Sequence, residues 1–203
     1  MERTYLSEVY DYFLSSISDY TILEAIANNP KDVEDELFTY FKKARGKFRK
    51  CKQSLDLGED ENGEKYFCSK EKYIVTSNDT LYSIADKYNI APSKLAEINN
   101  MSILDKISTG DSLLVYKSVK LMDFEIDILT HLMLVEYMKP QLIATEVMKQ
   151  SLSDKDFKIY SQANQLRELN LLYRLIQREA KTMITEYTYM GLTDKWLKTE
   201  TDW

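Results

Sequence analysis

Residues 73–99 read YIVTSNDTLYSIADKYNIAPSKLAEIN, and their rhythm differs from that of the chain on either side. Tyr73-Ile74-Val75 is short and β-favouring. After it, Ile84, Ala85 and Tyr88 recur at the spacing that places them on one helix face, and Leu95 and Ile98 do the same on a second helix. Asp79 stands where the first helix must begin, and its carboxylate is expected to cap the orphan N–H groups there. Asn89 stands where that helix must end. Asn is second only to Gly in tolerating a left-handed exit. Leu113-Leu114-Val115-Tyr116 then closes the block as a second strand, which predicts a βααβ unit.

These residues carry a family resemblance. Tyr73-x-Val75, Asp79-Thr80-Leu81, Ile84-Ala85-x-x-Tyr88, Leu95-x-x-Ile98-Asn99 and Ile107-x-x-Gly110-x-x-Leu113 resemble the LysM domain in order and spacing, with Asn78 and Asn89 where that family often has Gly. The resemblance implies two helices packed on a two-stranded antiparallel sheet. It also implies a groove in which N-acetylglucosamine chains lie between two loops. On this chain the first loop is Ser77, Asn78, Asp79, Thr80 and Leu81. The second runs from Met101 to Ile107 and includes Ile103 and Leu104. Asn78, Asp79 and Thr80 would supply hydrogen bonds, and Met101, Ile103 and Leu104 apolar contact. The residues also admit a plainer reading, in which Asp79 and Thr80 cap a helix and the apolar side chains fill a small core. Fold transfers more readily than function, and a single copy forgoes the avidity of several.

On both sides of this block the pattern is helical. Tyr5, Leu6, Val9, Tyr10, Phe13 and Ile17 recur at helical spacing, as do Ile22, Leu23 and Ile26. Asn29-Pro30 reads as a cap and first turn. The stripe Val33, Leu37, Phe41, Ala44, Phe48, Cys51, Leu55 follows. The polar run GEDENGEKYFCSKEK reads as a connection. Later, Asp123 opens a helix that is apolar on nearly every side, and Lys139-Pro140 is expected to end or kink it. Ser153 to Asp156 resembles a capping box. The last helix carries a stripe of Leu166, Leu169, Tyr173, Ile176, Ala180, Met183 and Tyr187, a length and pattern that suggest coiled-coil-like packing or a subunit contact.

The expected fold is therefore mainly α: a helical bundle with a long C-terminal helix, interrupted by an inserted βααβ LysM domain. Residues 1–58 plus 119–203 make the discontinuous helical domain, 59–72 a linker, and 73–118 the insert.

FEIDILTHLMLVEYMKPQL, the long last helix, and ELFTYFKKARGKFRKCKQSL resemble the helical core of head–tail connector (adaptor, or neck) proteins of tailed bacteriophages. That resemblance implies a virion structural protein in a homo-oligomeric ring, bound to the portal protein and to tail or other neck proteins. It would be assembled in the host cytoplasm, with the insert serving mainly as a structural module. Lys42, Lys43, Arg45, Lys47, Arg49, Lys50 and Lys52 could then face a DNA channel through sequence-blind attraction to phosphate. Alternatively they form a solvated face balanced by GEDENGE. The other function expected of the chain is binding of peptidoglycan or chitin oligomers through the LysM groove.

The 203 residues carry a net charge of −6, with 44% hydrophobic and 30% charged side chains, ordinary values for a globular protein. The acidic balance argues against a dedicated nucleic-acid binder. Glu2, Glu8, Asp11 and Asp19 interrupt any signal-peptide pattern, and Ile126–Met138 is too short and too polar for a membrane span. Cys51 and Cys68 read as reduced thiols. A lone His131, no CxxC or HExxH motif and no glycine-rich phosphate loop lead to the expectation of no catalytic residues, no metal, no cofactor and no enzyme activity.

Overall fold

The structure, a computed structural model, describes residues 2–17, 29–151 and 159–199. Among them are six helices and one three-stranded sheet: α1 Leu6–Ser15, α2 Pro30–Lys47, β1 Asp56–Glu59, β2 Lys65–Ile74, α3 Leu81–Tyr88, α4 Pro92–Ile98, β3 Ser112–Ser118, α5 Asp123–Ser151 and α6 Ile159–Thr199. The chain divides into two compact units, one of residues 1–9 and 51–122 and one of 10–50 and 123–203.

The first unit is built on β2, the central strand in the order β1-β2-β3. It pairs antiparallel with β3 from Cys68↔Ser118 to Ile74↔Ser112, and with β1 from Asp56↔Cys68 to Glu59↔Lys65. Residues 59–72 are thus not a linker but mostly a hairpin. Its turn is closed by Asp60, whose carboxylate accepts from the N–H groups of Asn62 and Glu64, both at 2.9 Å. Gly63 supplies the left-handed residue at φ 81°, a conformation Gly adopts without steric cost. Asn62-Gly63 between two strand-forming runs is the strongest short-range hairpin signal. The charges around it obscure that signal in the sequence.

The N-terminal segment is laced onto the same sheet. Thr4 N–H donates to the Val119 carbonyl at 3.1 Å, and Phe67 N–H to the Thr4 carbonyl at 3.0 Å. The buried Thr4 hydroxyl accepts from Leu121 N–H at 2.9 Å. Arg3 lies over the Tyr66 ring, 4.4 Å from its centroid, and donates to the Asn89 carbonyl at 3.2 Å.

The second unit is helical. Phe13, Tyr40 and Tyr137 bring α1, α2 and α5 together edge to face, with centroids 5.8 Å (Phe13–Tyr137) and 6.0 Å (Tyr40–Tyr137) apart, a geometry the ring quadrupoles favour. From Phe124 to Met138 no residue of α5 is exposed, as its all-round apolar pattern requires. Two of its acids, Glu125 and Glu136, are buried, and each has a partner. Tyr187 on α6 donates its hydroxyl to Glu125, and Lys47 on α2 pairs with Glu136. Unpaired, either carboxylate would be costly to bury.

Two boundaries differ from expectation. Helix α5 does not end at Pro140 but runs through it to Ser151: the buried stretch before it is already held on several sides, against the lost backbone bond and ring crowding that an interior proline brings. Helix α2 stops at Lys47, so the stripe expected to reach Leu55 ends at Phe48, whose N–H closes on the carbonyls of Ala44 and Arg45. Pro30 sits in the first turn as read, but Asn29 makes no side-chain cap and bonds Asp32 instead. Ile22, Leu23, Ile26 and the Ser153–Asp156 cap lie outside the described residues.

Replacing Tyr187 with Phe removes the hydroxyl from a buried carboxylate. Urea denaturation is expected to show a loss of about 1–3 kcal/mol, with the urea dependence of the transition unchanged.

Candidate functional site

The candidate groove belongs to residues 75–115, where Val75, Leu81, Ile84, Ala85, Leu95, Ala96, Leu113 and Val115 form one buried cluster. Tyr73, Tyr88, Met101, Ile103 and Ile107 pack against it from the edge. Both candidate loops are therefore anchored in a single core, the first by Leu81 and the second by Met101, Ile103 and Ile107.

Asn99 fastens helix to sheet. Its side-chain amide donates to the carbonyls of Leu95 and Leu114, each at 2.9 Å, and its carbonyl oxygen accepts from Leu114 N–H at 2.7 Å. This one side chain ends α4 and holds β3 beside it. Asn89 leaves α3 at φ 53°, ψ 52°, the left-handed exit read from the sequence. Asn100 does the same after α4 at φ 54°.

The loops are closed by one device used three times. In Thr76–Asp79, Ser102–Asp105 and Ser108–Asp111, the aspartate carboxylate accepts from the N–H of the Ser or Thr three residues earlier, at 2.7, 2.6 and 2.7 Å. The aspartate N–H donates back to that residue's carbonyl each time. Such side-chain-to-backbone turns give the loop backbone partners where no ladder is present.

This corrects the role expected of Asp79. The cap of α3 is Thr80, whose hydroxyl accepts from Ser83 N–H at 3.0 Å while Ser83 Oγ accepts from Thr80 N–H at 2.9 Å, a reciprocal capping box. Asp79 instead gathers Thr76 N–H, the Thr76 hydroxyl and the Tyr73 hydroxyl at one oxygen. These bonds, the backbone one first, hold its carboxyl below the ordinary value of 3.8.

Of the nine loop residues, Leu81, Met101, Ile103 and Ile107 serve the core and Asp79 and Thr80 serve the turn and cap. Ser77, Asn78 and Leu104 are left facing solvent, Leu104 at 86% exposure. The rim thus offers a short polar edge and one apolar projection.

The basic stretch forms no single helical face. Arg49, Lys50 and Lys52 lie beyond the end of α2. Lys47 is committed to Glu136, and Lys42 lies 4.8 Å from the Phe38 ring centroid. Lys43 borders an open cleft of about 400 Å³ with Glu136, Lys139, Pro140, Ile143 and Ala144. His131 is half-buried, its Nδ1 2.9 Å from the Asp127 carbonyl oxygen one turn back. Among the described residues no cluster of His, Cys, Asp and Glu could hold a metal ion, and no disulfide joins Cys51 to Cys68. No described helix is long and apolar enough to cross a membrane.

The LysM domain family model matches residues 73–115, so a LysM domain lies within this chain, framed by the strands and loops just described. No curated protein matches the chain, and no solved structure does. The match does not extend to the helical segments, and nothing in the comparisons supports their resemblance to head–tail connectors.

Two predictions follow from this geometry. Replacing Asn99 with Ala strands the Leu114 N–H and two carbonyls, and is expected to cost about 1–3 kcal/mol, measured by denaturant unfolding. Protonating Asp79 should release its turn. Because its folded pKa is depressed, the stabilisation is present above 3.8 and is lost as pH falls through the lower folded value. Carboxyl NMR titration should place the Asp79 midpoint below that ordinary value, and Asp79→Asn should speed exchange of the Thr76 amide at neutral pH.

Proposed function

We propose that this chain acts by binding, and that its LysM domain holds N-acetylglucosamine-containing oligomers of the peptidoglycan or chitin class along the rim formed by residues 77–80 and 101–104. The observation that carries this reading is the division of labour in the two loops. Six of the nine residues are spent on turns, cap and core. Ser77 and Asn78 on one loop and Leu104 on the other remain at the surface of a pre-formed frame.

An N-acetylated sugar presents hydroxyl and amide groups beside an apolar acetamido methyl and ring face. Asn78 carries both donor and acceptor, and Leu104 provides apolar contact. Closure of the loops by Asp79 and Asp105 would lower the ordering cost of binding. The reading includes no catalytic step, cofactor or metal.

A second reading is favoured by the same internal use of Asp79, Thr80, Leu81, Met101, Ile103 and Ile107, and by the continuity of β2 from the hairpin into the LysM sheet. It treats the domain as a rigid structural module in a virion head–tail connector, whose partners would be portal and tail or neck proteins arranged in a ring.

Titration of the full chain with N-acetylglucosamine tetramer, followed by amide NMR, tests the choice. The glycan reading expects shifts confined to residues 77–80 and 101–104, and a roughly three- to tenfold loss of affinity in Asn78→Ala or Leu104→Asp, about one hydrogen bond or a lost apolar contact. A flat response at millimolar ligand with dispersed spectra would remove it. Co-purification with tailed virus particles at fixed stoichiometry to the portal would then support the structural reading.

A further inference from the structure

Helix α6 has two apolar faces. At 3.6 residues per turn, Leu166, Leu169, Tyr173, Ile176, Ala180, Met183 and Tyr187 share one face, and all are buried or half-buried. The sequence suggests coiled-coil-like packing or a subunit contact for this stripe. Its Tyr187 instead serves the chain's own unit, against Glu125, Phe48 and Phe124. On the opposite face Leu171, Leu175 and Tyr189 are 57%, 50% and 62% exposed, and Leu172, between the two faces, is 47% exposed.

The charges beside this second face indicate what covers it. Leu171, Arg178 and Thr185 stand seven residues apart, and so do Leu175, Thr182 and Tyr189. Together these two lines make a heptad seam. Arg167, Arg174 and Lys181 run at the same interval along one flank, and Leu172, Glu179 and Glu186 along the other. One flank is basic and the other mainly acidic, and Arg174, Glu179, Lys181 and Glu186 are all exposed. None of these four has an opposite charge three or four positions away within α6, so the pattern does not serve pairing along the helix itself.

Between two parallel helices, a residue on the first flank meets the residue five positions later on the other helix's second flank. That arrangement sets Arg174 against Glu179 and Lys181 against Glu186, twice by symmetry. An antiparallel pair would instead set basic flank against basic and acidic against acidic. We propose that a second copy of this chain covers the face, through parallel, in-register pairing of α6 over Leu171–Tyr189, a seam about 27 Å long at 1.5 Å per residue.

Apolar contact concentrates at Leu171, Leu172, Leu175 and Tyr189. Arg178, Thr182 and Thr185 interrupt the seam, and polar seam positions fix register while lowering affinity. In register Arg178 meets Arg178 of the second copy, a repulsion that the adjacent Glu179 residues offset only in part and that lowers the affinity further. The association is accordingly reversible and dependent on salt. It does not rest on the glycan reading. Where both hold, each assembly presents two LysM domains, and paired modules bind a polymer more tightly than one.

Sedimentation velocity of the full chain over a micromolar concentration series tests the proposal, with circular dichroism confirming helicity in every variant. The wild type should show a concentration-dependent dimer. R174E/K181E and E179K/E186K should each weaken it by about tenfold or more, or about 1.4 kcal/mol. The fourfold reversal, which restores opposite charges only in a parallel pair, should regain the wild-type association. L175E should abolish it without touching the flanks. A monomer at every concentration, association unmoved by either double reversal, or a fourfold variant as weak as the doubles would each overturn the proposal.

Discussion

The ladder between β2 and β3 is the constraint on which the sheet unit depends. Seven residue pairs join the strands, from Cys68↔Ser118 to Ile74↔Ser112, and the family match begins only at Tyr73. Most of the ladder therefore lies outside the LysM match. Because a strand's side chains alternate faces, slipping this register by one residue would reverse the inward and outward sets of β3. Leu113 and Val115 would leave the core, and Leu114 would lose its place opposite Asn99. The register also fixes where β1 can add to the other edge of β2, and where Thr4 can bridge Phe67 and Val119.

Within that frame the LysM domain assigns a set of its polar residues to holding loops. Three Ser/Thr-x-x-Asp turns and one capping box account for Asp79, Asp105, Asp111, Thr80 and Ser83. A small domain has little core to spend on ordering its loops, and local hydrogen bonds do this work cheaply. The cost is that few of these groups remain for a ligand. The glycan reading therefore rests on Ser77, Asn78 and Leu104, and the structural reading on the residues already used internally.

The helical unit manages polarity differently. From Phe124 to Met138 no residue of α5 is exposed, so Glu125 and Glu136 must be matched from neighbouring helices, by Tyr187 and Lys47. This requirement holds the Tyr187 end of the inner stripe of α6 within the chain's own unit: Tyr187 is needed where Glu125 is. Lys47, counted in the sequence among seven cations facing a DNA channel, is held for the same reason by Glu136.

Residue spacing alone determined the βααβ order of 73–116, the one-faced pattern of α3, the left-handed exit at Asn89 and the enclosed character of α5 from Phe124 to Met138. All of these follow from local periodicity and local backbone preference. Helix α4 instead buries Ala96 beside Leu95, where the spacing pairs Leu95 with Ile98. Tertiary structure decided the rest. Whether Asp79 caps a helix or closes a turn depends on Tyr73 and Thr76 reaching it. Whether Pro140 ends a helix depends on what already holds the turns before it. The hairpin over 56–74 needed β3 as a template, since KYFCSKEKY carries too much charge to declare itself a strand until it lies between two others. Which apolar stripe of α6 turns inward was set by a buried carboxylate elsewhere in the chain, because periodicity counts faces without saying what each one meets.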